Sequence, residues 1–179
     1  MAILIQCPTP KLLFRLINYY QLSSSIVELG TSLGITTSYL SNAKKSNKIY
    51  TIEGADEIAN VANSVFQKLG LKNVILKKGE FENVLSELLI DGQLGLIYID
   101  GNHTKEDTIN YFNWALENAN EKTVIVIDDI YWSREMEDAW EHIKRIKKVS
   151  LTIDLFKMGV VFLHSVKVKE HFKLKKAIF

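Results

Sequence analysis

The stretches Gly95-Leu-Ile-Tyr-Ile-Asp100 and Thr123-Val-Ile-Val-Ile-Asp128 are unbroken apolar runs, each closed by an aspartate and each followed by a segment with helical spacing. A strand with one wet face alternates apolar and polar residues, whereas a continuous run suits a parallel strand covered by helices on both faces. Working outward, the same strand, turn and helix recur. Ile26 to Leu29 precedes a turn from Gly30 to Gly34 and a helix over residues 35–43. Lys48 to Glu53 precedes a helix from Asp56 to Leu69, and Asn73 to Lys77 one from Phe81 to Leu89. Residues 95–100 lead to a helix from Thr104 to Asn118, and residues 123–128 to one from Ser133 to Lys147.

Successive units of this kind build a central parallel sheet. The end breaks the pattern: Val149 to Asp154 and Gly159 to His164 are joined by residues 155–158, too short for a helical crossover, so they must pair antiparallel. The expected fold is α/β, a Rossmann-like doubly wound sheet of seven strands, mostly parallel with an antiparallel C-terminal hairpin and helices on both faces. An amphipathic helix over Lys11 to Tyr20 precedes it. The chain reads as a single domain, with an N-terminal helical segment over 1–22, a core over 23–166 and a solvated basic tail over 167–179.

The composition agrees. At 179 residues, 47% hydrophobic and 24% charged, with 2 Pro and 9 Gly, the chain lies outside the disordered, collagenous and disulfide-rich classes. Lys and Arg number 22 against 21 Asp and Glu, a net charge of +1, which argues against duplex nucleic acid or an anionic membrane as partner. The single Cys7 forms neither an intramolecular disulfide nor a cysteine-based zinc site. No apolar run reaches membrane-crossing length, and the opening Met-Ala-Ile-Leu-Ile-Gln-Cys has neither a basic leader nor a cleavage site, so a cytoplasmic location is expected.

In open α/β sheets a ligand sits beyond the carboxyl ends of the strands. Here Glu28, Glu53, Asp100 and Asp128 close strands and Glu80 follows another. In Glu28-Leu-Gly30-Thr31-Ser32-Leu-Gly34, glycines allow tight turns and close approach. Glu28 stands where a dinucleotide fingerprint has its first glycine, so the loop would repel a pyrophosphate and suits an amino group. Glu53, followed by Gly54, lies about 20 residues further on, the spacing of an acid that accepts from ribose hydroxyls; the alternative is a cap for the helix at Asp56. In Lys78-Gly79-Glu80-Phe81, Glu80 can accept from an adenine amino group with Phe81 as an apolar wall, or simply open a helix.

Taken together, these residues resemble the class I S-adenosylmethionine-dependent methyltransferases, from about Ile26 to His164. The resemblance implies cofactor contacts through Glu28, Gly30, Thr31, Ser32, Gly34, Glu53, Gly54, Gly79, Glu80, Phe81 and Asp100. More narrowly, Ile99-Asp100-Gly101-Asn102-His103 and Ile127-Asp128-Asp129-Ile130-Tyr131-Trp132 look like the matching segments of catechol-type O-methyltransferases. By that likeness Asp100, Asp128 and Asp129 would hold Mg²⁺ or another divalent cation, with Asp129 where those enzymes have Asn. Clustered carboxylates are costly unless a cation, protons or a basic partner offsets them.

His103 stands where the relatives have Lys; it reads as a general base or as an exposed helix-start histidine. Trp132, directly after the acidic pair, is the candidate for substrate contact, and Trp140 for the core. The function implied is transfer of a methyl group from S-adenosylmethionine to a hydroxyl of a small molecule, leaving S-adenosylhomocysteine, with Asp100, His103 and Asp128 as the catalytic set. A homodimer whose second subunit completes the pocket is the accompanying expectation. Two other classes stay open: a non-catalytic cofactor-binding or assembly module on the same fold, and a nicotinamide-dependent oxidoreductase.

Overall fold

The computed structural model describes residues 8–22, 25–90, 92–164 and 168–174. Its elements in chain order are α1 (Pro8–Tyr19), β1 (Ser25–Leu29), α2 (Ile35–Ala43), β2 (Ile49–Glu53), α3 (Asp56–Lys68), β3 (Val74–Lys78), α4 (Phe81–Glu87), β4 (Leu94–Ile99), α5 (Lys105–Asn118), β5 (Ala119–Asp128), α6 (Arg134–Arg145), β6 (Leu151–Asp154), β7 (Met158–Phe162) and β8 (Glu170–Lys173). The strands form one sheet in the order β3-β2-β1-β4-β5-β7-β6-β8. Strands β1 to β5 pair parallel, and β7 runs antiparallel to both β5 and β6.

The unbroken apolar runs are explained by two covered faces. Val27, Leu29, Ile97, Ile99, Ile125 and Ile127 pack with Phe112, Trp140 and Ile143 on the side of α5 and α6. Their neighbours Ile26, Leu96, Tyr98, Val124 and Val126 pack with Leu13, Ile17 and Leu40 on the side of α1 and α2. Each of these side chains is at most 2% exposed. At roughly 25 cal/mol per Å² of buried apolar surface, alternate burial on two faces makes these strands the main source of stability.

The sheet has one strand more than the sequence reading allowed. Within the basic tail, expected to be solvated, residues 170–173 form β8, which pairs parallel with β6. All four of its side chains are exposed, so its backbone completes the sheet while the side chains carry no apolar pattern. Among the described residues no helix is long and apolar enough to cross a membrane.

The topology also places the site. The chain leaves β1 toward β2 and β3, then returns to β4 on the other side of β1, so β1 and β4 flank the switch in strand order. There the two strand ends touch: Asp100 N donates to Leu29 O at 3.0 Å.

Candidate active site

The glycine loop after β1 is shaped first by internal packing. Gly30 has φ +97°, and a Cβ there would lie 2.1 Å from the carbonyl oxygen of Asp100; a Cβ on Gly34, at φ +76°, would lie 2.4 Å from the Phe66 ring. Ser32, between them, also takes a positive φ of 48° and points outward. Thr31 is buried, its hydroxyl 2.6 Å from that of Thr51.

Glu28 lies beneath this loop and is fully buried. Its Oε2 accepts from Thr37 Oγ1 at 2.5 Å and from Thr51 Oγ1 at 2.6 Å. Its Oε1 has no hydrogen-bond partner among the described residues. Burial raises its pKa to about 7, against the two threonine hydrogen bonds that favour the carboxylate. Facing no solvent, Glu28 supports the loop from below, bracing β1 against β2 and α2.

The exposed acids lie on the rim. Half-buried Glu53 accepts from Ser32 N at 2.8 Å and from Ala55 N at 3.1 Å, so it joins the glycine loop to the start of α3. It does not cap α3, whose N-cap is Ala55 and whose start has no side-chain cap hydrogen bond. Gly54 is exposed, and a Cβ there would meet only Glu80 Oε1 at 3.8 Å and Gly79 O at 3.9 Å. Gly54 thus stands exposed between Glu53 and Glu80, at the ends of the adjacent strands β2 and β3. This donor set fits a nucleoside: carboxylates at the ends of adjacent strands accept from ribose hydroxyls and an amino group. Phe81 is turned into the core, its ring against Gly101 and 5.7 Å from that of Tyr111, so it offers no exposed wall.

Beyond β4 and β5 the acids converge on Tyr98. Its hydroxyl lies 2.5 Å from Asp128 Oδ2 and 3.0 Å from Asp100 Oδ2. Burial and the two carboxylates push the phenol far above its ordinary pKa, so it stays a donor. Asp100 is likewise raised, by burial and then by the Asp128 charge. Asp128 is 2% exposed, and its Oδ1 accepts from Asp129 N at 3.0 Å. The Lys157 ammonium, from the β6–β7 turn, lies 3.4 Å from Asp128 Oδ2 and 3.9 Å from Asp129 Oδ1.

The trio expected to hold a metal therefore divides. Asp128 points inward with both oxygens engaged by Tyr98, Lys157 and the Asp129 amide, which does not fit an open ligand. The ligand atoms that do come together, within 4.8 Å of one another, belong to Asp100, His103 and Asp129.

His103 Nε2 is 3.7 Å from Asp100 Oδ1. Asn102, His103 and Asp129 all have positive φ, at 58°, 42° and 52°, a concentration of left-handed backbone that costs energy and recurs where side chains must be aimed. The helices that follow are capped: Thr104 Oγ1 accepts from Asp107 N at 3.1 Å, and Ser133 Oγ from Met136 N at 3.2 Å. Both caps fix the loops that present His103 and Trp132. Trp132 is 71% exposed with its ring 6.3 Å from the His103 imidazole, while Trp140 is buried under Gly159 as its helical spacing implied.

Four contributors escaped the sequence reading. Tyr98 looked like one more apolar strand residue, although it shares a strand face with Asp100 two positions on. Thr37 and Thr51 had no motif. Lys157 was visible only as part of a hairpin connection; the register that sets Asp128 opposite Met158 is what brings it to the acids. A separate cavity of about 580 Å³, bordered by Lys147, Lys148 and Lys169, opens at the other ends of the strands and holds none of the expected residues.

The chain is similar to known methyltransferases in sequence and in fold. The chain is 30% identical over 112 residues to a catechol O-methyltransferase of Niastella koreensis, covering 60% of this chain and 50% of that protein. It is 30% identical over 107 residues to one of Mycobacterium tuberculosis, covering 59% and 47%. The chain thus spans about half the length of the curated relatives it matches. In fold it is similar to the O-methyltransferase TomG of Streptomyces achromogenes, solved in complex with SAM, at a TM-score of 0.78 and 21% identity over 90% of this chain and 82% of that one. It is also similar to an O-methyltransferase of Bacillus cereus in complex with SAH, at a TM-score of 0.75 and 21% identity over 90% and 84%. A family model described as a methyltransferase domain matches residues 27–130, from the first strand through both acidic loops, and on that match over more than half its length the chain belongs to the methyltransferase domain family.

Proposed function

We propose that the chain binds S-adenosylmethionine across the ends of β1 to β4 and transfers its methyl group to a hydroxyl oxygen of a small aromatic molecule. The observation that carries this reading is the placement of half-buried Glu53 and exposed Glu80 on either side of exposed Gly54, at the ends of β2 and β3 and next in strand order to Gly30 and Asp100. When bound, the cofactor supplies a methyl group made electrophilic by its sulfonium. Glu53 would accept from the ribose hydroxyls, and Glu80 from the adenine amino group. Asp100, beside Gly30 at the switch point, faces the amino acid end.

The acceptor side is built from His103, Asp100 and Trp132. His103 is placed to take the acceptor's hydroxyl proton, and Asp100, 3.7 Å away, orients the imidazole and balances the charge it gains. The exposed Trp132 ring beside His103 offers a flat apolar surface for an aromatic acceptor. Catechol-like diols are the acceptor class to try first, given the names of the relatives at 30% identity.

The test is incubation of the purified chain with S-adenosylmethionine labelled in the methyl group and a panel of aromatic diols. Label should appear in the acceptor with wild type and fall away with His103→Ala. Cofactor binding without label in any acceptor would favour the non-catalytic module.

A further inference from the structure

The acidic end of the site carries a positive charge of its own. Lys157 lies in the β6–β7 turn, where its carbonyl accepts from Ile130 N at 3.2 Å, tying the turn to the residue after Asp129. Phe156, before it, takes φ +70°, and Asp154 Oδ1 accepts from its amide at 2.8 Å, so the turn is fixed from both sides. From this anchorage the ammonium reaches both Asp128 and Asp129. Burial works against its charge, but those carboxylates outweigh it and hold the pKa above the ordinary lysine value.

A divalent ion bridging Asp128 and Asp129 would need an oxygen of each at about 2.0–2.6 Å. That ion would crowd the ammonium already between them, and the like charges would repel strongly at so short a separation.

We infer that Lys157 is the resident cation of this site: its ammonium takes the place a divalent metal would hold between Asp128 and Asp129, and it stabilises the acceptor's developing oxyanion. This rests on the proposed methyl transfer. In the reaction the acceptor's hydroxyl proton passes to His103. The acceptor oxygen forms the new O–C bond as the C–S bond breaks, the electron pair staying on sulfur. Lys157 keeps its proton throughout, as a fixed positive charge on a half-exposed side chain. Asp100, His103 and Asp129 remain close enough to compete for a metal, so binding there is the rival outcome.

The test is titration of the purified chain with Mn²⁺ alone, followed by electron paramagnetic resonance, for wild type, Lys157→Arg and Lys157→Met. Calorimetry with S-adenosylhomocysteine accompanies each titration. Wild type and Lys157→Arg should take up no stoichiometric Mn²⁺. Lys157→Met should bind it at least roughly tenfold more tightly, because a vacated charge site between two carboxylates attracts a cation.

Stoichiometric micromolar Mn²⁺ binding by wild type overturns the inference, and so does a Lys157→Met chain that gains none. Binding of S-adenosylhomocysteine to all three chains shows that the variants are folded. Its failure with wild type would refute the cofactor reading while leaving the Mn²⁺ comparison to decide the cation. In turnover, chelator should leave wild type unchanged, and Lys157→Met should lose transfer and recover part of it with added Mg²⁺.

Discussion

Replacing Glu28 by Gln should stabilise the chain, and by an amount that grows with pH. Glu28 is fully buried, and its pKa is raised from 4.5 to about 7. Between those values the folded chain keeps a proton that the unfolded chain has lost. Stability therefore falls as pH rises, by about 1.4 kcal/mol per pH unit, and levels off above about pH 7. The full cost of the ionised, buried carboxylate is on the order of 3 kcal/mol. A glutamine retains an acceptor for Thr37 and Thr51 and cannot ionise. Any constant difference in packing or hydrogen bonding shifts its curve without changing its slope. Urea unfolding of both chains from about pH 5 to about pH 8.5 should show the gap widening by about 2 to 3 kcal/mol in favour of Glu28→Gln. A gap independent of pH would mean that burial does not govern the ionisation of Glu28, and the reasoning would fail.

Three further outcomes are expected. Glu53→Ala should weaken S-adenosylhomocysteine binding by roughly tenfold or more, the worth of charge-assisted hydrogen bonds to the ribose; unchanged affinity by calorimetry would remove Glu53 from that role. His103→Ala should slow methyl transfer by roughly 100-fold or more while leaving S-adenosylhomocysteine affinity unaltered, and equal loss in both would make His103 structural. Gly30→Ala should destabilise the fold by at least about 2 kcal/mol in thermal or urea unfolding, because its Cβ would meet the Asp100 carbonyl at 2.1 Å; a neutral effect would mean the strand ends are not so tightly apposed.

What the sequence made legible follows from burial. Strands β1 to β5 announced themselves because alternate residues enter two different cores, leaving no polar gap in the run. The β6–β7 hairpin was legible from the length of its connection. Strand β8 was not, since its contribution is backbone pairing at an edge and its exposed side chains follow no pattern.

The site divides in the same way. Glu53, Glu80 and Asp100 are strand-end acids, and their placement follows from topology alone. The supporting role of Glu28 needed the positions of Thr37 and Thr51, which lie 9 and 23 residues away along the chain. Gly30 and Gly34 were read as allowing a tight turn and close approach; both take positive φ, and the space a side chain would fill belongs to Asp100 and Phe66. Tyr98 and Lys157 matter through partners 30 and 29 residues distant from them, across strand pairings that no local window contains.

The central claim is that this chain is built around S-adenosylmethionine, and isothermal calorimetry with S-adenosylhomocysteine, with NAD as control, tests it most directly. The account predicts one-site binding of S-adenosylhomocysteine in the micromolar range and none of NAD. Selective binding of NAD, or of neither ligand, would contradict it.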